Sequence, residues 1–373
     1  MHLPTNFLLR HFGVALALAL LPQLAAAADT PSETAPPSVV RYVAVDNVCA
    51  WPNLSRMPDG TLLAVIHNRP SHGQMEGMIE AWTSVDGERW EKRGYPVTND
   101  PRTVRMNVAA GVAGNGEPIV LCSGWTDEKQ PERPKQNIFR DSTVPMRVAR
   151  SRDGGRTWTQ SDGVPRAQPG WTDYIPFGPI LRGEDGALHT TAYAGEYRDP
   201  TKSTKTKPHY SVWHFRSDDD GRTWAPTSLI SSRHNETALV HLGGTRWLAA
   251  ARIDALELFR SDDDGRTWQG PQRVTERNQI PGHLLRLADG RLLMTYGSRV
   301  KDQHGVLARL SNDDGQTWGT PIRLARSLDW DCGYPSSIQR GDGRIVTAFY
   351  SKRAENHERY HMGVAIWEAP ARP

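Results

Sequence analysis

Only three cysteines, Cys49, Cys122 and Cys332, occur among the 373 residues of this chain. That scarcity excludes a disulfide scaffold, since at most one bridge can form and one thiol is left over. Their spacing is not that of a zinc site, so buried small residues are the expectation. Charge of one sign is also lacking: 45 Lys and Arg against 42 Asp and Glu leave a formal charge of +3, which gives no nucleic-acid footprint. The single marked apolar run, Phe12–Leu21, is too short to cross a membrane. With 38% hydrophobic residues, the chain can still bury a large core.

The first 28 residues read as an export signal. Arg10 supplies a basic flank, Phe12–Leu21 the apolar stretch, and Ala25–Ala28 a small-residue cleavage site. Residues 29–37 follow as a Pro/Ser/Thr tether, and residues 38–373 form the expected folded domain. The mature protein is therefore expected to be periplasmic or secreted.

What the chain has in abundance is one repeated phrase. FRSDDDGRTW occurs twice without change, at Phe215–Trp224 and Phe259–Trp268. Close copies end at Trp158 and Trp318, and a worn copy ends at Trp90. Asp and Ser side chains can bond nearby backbone N–H groups, Gly tolerates a left-handed turn, and Trp brings a large apolar wedge. Each box reads as a hairpin turn with an anchor, so Trp158, Trp224, Trp268 and Trp318 are expected on the outer side, away from any central pocket. The Asp-rich core lacks the ligand ladder of a calcium loop.

A second series alternates with the boxes. Gly60, Gly116, Gly186, Gly244, Gly290 and Gly343 each sit in a turn before an alternating apolar run, which is a hairpin signal. The spacing fits β-propeller blades of about 40–50 residues with insertions. The reading is all-β, a six-bladed propeller. The last blade runs short by one strand, and Ser38–Val45 is expected to fill it by pairing with Gly363–Glu368, which also hides an edge. Such closure would bring Cys49 and Cys332 towards the axis, where a bridge could form.

Five tryptophan boxes on a six-bladed pattern behind an export signal resemble the sialidase (neuraminidase) superfamily, in which the box is called the Asp box or BNR repeat. The box supports fold far more than function. The resemblance implies a glycoside hydrolase acting on a glycan or oligosaccharide with a terminal acidic sugar, with no cofactor and no metal. No nucleic-acid or membrane-spanning partner is implied, and a monomer is expected. In HNETALVHLGGTRWLAAAR, Glu236 followed by Arg252 is similar to the sialidase Glu and the Arg of its next strand. Tyr334, in CGYPSSIQRGDGRIVTAFY, stands where sialidases carry a nucleophilic Tyr, and Arg299, in LMTYGSR, resembles another carboxylate-binding Arg. The chemistry is coherent. A sugar acid repels a carboxylate nucleophile, so a Tyr activated by Glu is the better attacker, and guanidinium groups grip a carboxylate bidentately.

Two departures stand out. Where sialidases begin with Arg-Ile-Pro, this chain has Ala50-Trp51-Pro52, so the first Arg is absent; Arg69 and Arg105 are the candidate substitutes. The loop that carries the sialidase acid reads NRPSHGQMEGMIE, with Glu76 as the nearest carboxylate, favoured slightly over His72. The stretch His357–His361 fits H-E-x-x-H, but it lies in a polar loop without the helix a zinc protease needs. Two rival functions follow. A hydrolase or lyase for uronic-acid polysaccharides would use His72, Tyr334 and Arg252, whereas a non-catalytic propeller would stack sugars on Trp51, Trp125, Trp171 and Tyr174.

Overall fold

The computed structural model describes residues 33–127, 143–196 and 209–372. The residues read as an export signal, and residues 29–32 of the tether, lie outside the described residues. The tether's end is held in place. Thr34 N donates to Pro321 O at 2.9 Å, Arg323 N donates to Thr34 O at 2.9 Å, and Glu33 is ion-paired with Arg323.

Every regular element among the described residues is a strand. β1 (Val39–Asp46) comes first. β2 (Asn53–Arg56), β3 (Leu62–His67), β4 (Ile79–Ser84) and β5 (Glu91–Val97) form an antiparallel meander. The next comprises β6 (Thr103–Val112), β7 (Pro118–Thr126), β8 (Thr143–Arg150) and β9 (Thr159–Ser161). A third contains β10 (Ile175–Arg182), β11 (Leu188–Gly195), β12 (Tyr210–Ser217) and β13 (Ala225–Ser231). The fourth has β14 (Thr237–Gly243), β15 (Arg246–Arg252), β16 (Leu256–Ser261) and β17 (Gln269–Arg273). β18 (Gln279–Arg286), β19 (Leu292–Ser298), β20 (Gly305–Ser311) and β21 (Ile322–Arg326) follow. The last is β22 (Cys332–Gln339), β23 (Ile345–Ser351) and β24 (His361–Trp367).

β1 completes that last sheet. It runs antiparallel to β24, with Val39 opposite Trp367 and Val43 opposite Gly363, as the short final repeat led one to expect. The second and third meanders share one sheet through a short parallel pairing of β6 and β10. The first strands of the meanders lie side by side in cyclic order: β2 beside β6, then β10, β14, β18, β22 and β2 again. The turn glycines behave as read, since Gly60, Gly116, Gly186, Gly244, Gly290 and Gly343 all have φ between +60° and +89°, where a side chain is disfavoured.

The boxes are built from their own side chains. In the third, Asp219 Oδ1 accepts from Arg222 N and Thr223 N at 3.0 and 2.8 Å, while Ser217 Oγ accepts from Gly221 N at 2.8 Å. Each box tryptophan then packs against a different apolar cluster: Trp90, Trp318, Trp268, Trp224 and Trp158 in turn. None of them lines the central cavity. All three cysteines are buried free thiols, so the bridge between Cys49 and Cys332 is absent.

Candidate active site

The first strands surround a cavity of about 370 Å³, at the small end of ligand-binding volumes. Glu236 immediately precedes β14, and Arg252 closes β15. Their backbones pair directly, Arg252 N donating to Glu236 O at 3.2 Å, so the hairpin itself brings carboxylate and guanidinium face to face as an ion pair. Tyr334 arrives from β22, 98 residues further on. Its hydroxyl lies 2.7 and 2.9 Å from the two Glu236 carboxylate oxygens, and Arg252 Nη1 donates to it at 2.8 Å.

Tyr334 holds this position in a strained backbone. Its φ is +50°, following Gly333 at +113°, and a bulky residue in the left-handed region costs about 1–3 kcal/mol. Gly333 also faces Gly297 so closely that an added Cβ would stand 2.9 Å from the Gly297 Cα. Gly333→Ala is therefore expected to destabilise the fold by roughly 1–3 kcal/mol or more, measured by denaturant unfolding, and to lower activity by displacing Tyr334. Burial, reinforced by the charge of Glu236, pushes the Tyr334 phenol well above its ordinary pKa. It is neutral at neutral pH and needs a base to become a nucleophile.

Arg299 follows β19 and donates to the Tyr350 hydroxyl at 3.0 Å, with its guanidinium carbon 5.7 Å from the Tyr334 ring centre. Tyr350 in turn donates to Asp331 Oδ1 at 2.5 Å, the Tyr360 hydroxyl donates to Asp331 Oδ2, and His72 Nε2 is 3.0 Å from Asp331 Oδ1. Burial opposes the charge on Asp331, but the hydrogen bond and charge of His72, helped by Tyr350 and Tyr360, hold it well below the usual carboxylate range. The stability it contributes is present above the unfolded aspartate pKa of about 3.9 and is lost as pH falls through the lower folded value. Asp331→Asn is thus expected to flatten the fall of melting temperature below about pH 4.

Elsewhere the cavity wall is polar without being satisfied. Trp51 Nε1, Asn53 Oδ1, Asn107 Oδ1, Asn235 Oδ1 and His283 Nδ1 are buried, have no protein partner and belong to lining residues. A buried polar atom left unpaired costs about 1–3 kcal/mol. Such a wall suits a ligand rich in hydroxyl groups.

The sequence profile of the BNR repeat-like domain family matches residues 135–347, more than half of the chain. The chain belongs to this family. Among solved structures, it is similar to a Dyadobacter fermentans protein of unknown function, at 21% identity and a TM-score of 0.75, covering 90% of this chain and all of that one. A Hadza microbial sialidase matches at 18% identity and TM-score 0.66, over 87% of this chain and 66% of its own. A Trypanosoma rangeli sialidase with the inhibitor DANA matches at 16% and 0.63, over 90% of this chain and 58% of its own. This BNR repeat-like chain thus spans about two thirds or less of those two sialidases. At such identities the likeness establishes a shared propeller-type fold of the sialidase kind. No curated protein matches the sequence.

Within the BNR repeat-like fold, Glu236, Arg252, Arg299 and Tyr334 meet in one cavity, and His72 joins them. Glu76, Arg69 and Arg105 do not line it. Glu76 sits exposed at a φ of +62°, where its carbonyl accepts from Arg69 at 3.0 Å; the pair fastens a loop. Arg105 is 2% exposed and pairs with Asp100 at 3.0 Å, while Nη1 donates to Pro145 O at 3.1 Å. A register shift between Arg105 and Asn107 turns Met106 and Asn107 to the cavity in its place. Neither Arg replaces the missing first one. Trp51 and Trp125 line the cavity, unlike Trp171 and Tyr174. In the His357–His361 loop, Glu358 pairs with Arg353 at 2.7 Å and Tyr360 turns to Asp331. Asp331, Asn53 and Asn107 escaped sequence reasoning. Only Asp331 carried a signal, three positions before Tyr334.

Proposed function

We propose that this chain is an exported six-bladed propeller that hydrolyses a terminal acidic sugar from a glycan, with Tyr334 as nucleophile. The six meanders would be its blades. One observation carries the reading: a buried tyrosine bonded to both oxygens of Glu236 while Arg252 donates to the same phenolic oxygen. Glu236 is placed to take the phenolic proton as Tyr334 attacks, and Arg252 to stabilise the oxygen that loses it. Attack forms a bond from the tyrosyl oxygen to the anomeric carbon and breaks the glycosidic bond. Water then releases the sugar.

Arg299 offers the carboxylate grip, set between Tyr350 and the face of Tyr334. The proton donor to the leaving group is assigned to His72, which lines the cavity and is oriented by Asp331. That dyad also favours a second reading, a lyase acting on uronic-acid polysaccharides with His72 as the base. Incubation with a panel of sialylated and uronic-acid glycans tests both. Free acidic sugar supports the hydrolase; an unsaturated, ultraviolet-absorbing uronide supports the lyase. Binding without any product would leave a carbohydrate-binding propeller.

A further inference from the structure

Well away from this cavity, Asp185, His189 and Asp264 bring one ligand atom each to within 4.8 Å of one another, and no other such group of His, Cys, Asp and Glu occurs among the described residues. Asp185 lies in the turn between β10 and β11, His189 is the second residue of β11, and Asp264 belongs to the box that follows β16. His189 is fully buried, and its Nε2 has no hydrogen-bond partner.

The neighbours of His189 decide what that nitrogen offers. His189 Nδ1 is 3.0 Å from His214 Nε2, and His214 Nδ1 is 2.7 Å from Thr227 Oγ1. The Thr227 hydroxyl itself donates to the His214 carbonyl at 3.2 Å. With its only proton given to that carbonyl, the Thr227 oxygen accepts from His214 Nδ1, so His214 Nε2 is bare and accepts from His189 Nδ1. A bare lone pair is left on His189 Nε2, the buried ring atom without a partner. A relay that fixes the tautomer of a histidine is the usual outer support of a metal ligand.

Charge points the same way. Arg216 pairs with Asp185 at 2.6 Å, with Asp264 at 2.7 Å and with Asp218 at 2.7 Å. One guanidinium is thus shared among three carboxylates, two of them in the group, so the group keeps an excess of negative charge that a cation would offset. The second oxygens of Asp185 and Asp264 each accept a single N–H, from Ala187 N and Trp247 Nε1, both at 3.0 Å, and so keep a lone pair free. The corresponding Asp220 and Asp314 of neighbouring boxes pair with Arg150 and Arg246 and belong to no such group. The histidine sets this box apart.

We propose that Asp185, His189 and Asp264 bind a divalent transition-metal ion of the zinc or manganese class, stapling the third meander to the fourth. One imidazole and two carboxylates suit such ions, with water completing the shell. The role is structural, because His189 lies four residues, or about 13 Å along β11, from Tyr193, which lines the cavity.

The test uses the full chain, stripped with chelator and titrated with Zn²⁺ and separately Mn²⁺ by calorimetry and thermal melting. The expected result is about one equivalent bound by either or both ions, with a rise in melting temperature that grows with ion concentration. Asp185→Asn, at a largely exposed turn, should fold normally and bind at least about tenfold more weakly. His189→Gln should lose the site as well, and if it fails to fold the Asp185 variant still decides. Absence of stoichiometric binding by either ion, or unchanged affinity in Asp185→Asn, overturns the proposal.

Discussion

Tyr334→Phe is expected to lower kcat by at least about a thousandfold, since on the proposed mechanism it removes the covalent nucleophile and leaves only binding and orientation. The change deletes one oxygen. The ring keeps its packing beside Trp51 and Tyr350, with centroid separations of 6.1 and 5.7 Å, and the Glu236–Arg252 ion pair remains. Folding and ligand affinity should therefore be largely retained. Steady-state kinetics beside a melting curve would show the split: kcat collapses while the melting temperature holds. Wild-type turnover in the variant would remove Tyr334 from the chemistry while leaving the fold untouched.

Arg252→Ala should have the largest effect on stability. Glu236 is 6% exposed, and its charge is compensated by Arg252 alone among the cations that bond to it. Truncating the arginine leaves a buried carboxylate facing a phenol, and stranding one member of a buried pair costs about 3–5 kcal/mol. Removing the charge as well, in Arg252→Ala/Glu236→Gln, should recover part of that loss, whereas an exposed pair would show almost none. Denaturant unfolding of the two variants measures the difference. Equal stability of Arg252→Ala and the wild type would mean that the carboxylate is not held by this contact.

Much of this geometry was legible in the sequence because it rests on local rules. Box turns are made by side chains bonding to backbone within four residues, so their residues are their own signature. Hairpins place the start of one strand beside the end of the next, so Glu236 and Arg252, picked out by their resemblance to the sialidase pair, meet at one edge. The failures have equally specific causes. A register shift in β6 turned Arg105 from the cavity to Asp100, and no composition signal marks such a shift in advance. Glu76 stays out of the cavity because the loop between β3 and β4 leaves its side chain exposed, and only its backbone carbonyl meets Arg69. Asp331 meets His72 across 259 residues of chain, a contact that exists only once the last meander packs beside the first.

The central claim is that Tyr334 forms a bond to the sugar. The direct measurement is mass spectrometry of the full chain after reaction with a fluorinated sugar acid that slows release of a covalent intermediate. The expected result is a mass gain of one glycosyl unit, mapped by proteolysis to Tyr334 and absent in Tyr334→Phe. Label on Glu236 or Asp331, or steady product release with no labelled protein under conditions that slow the second step, would contradict it.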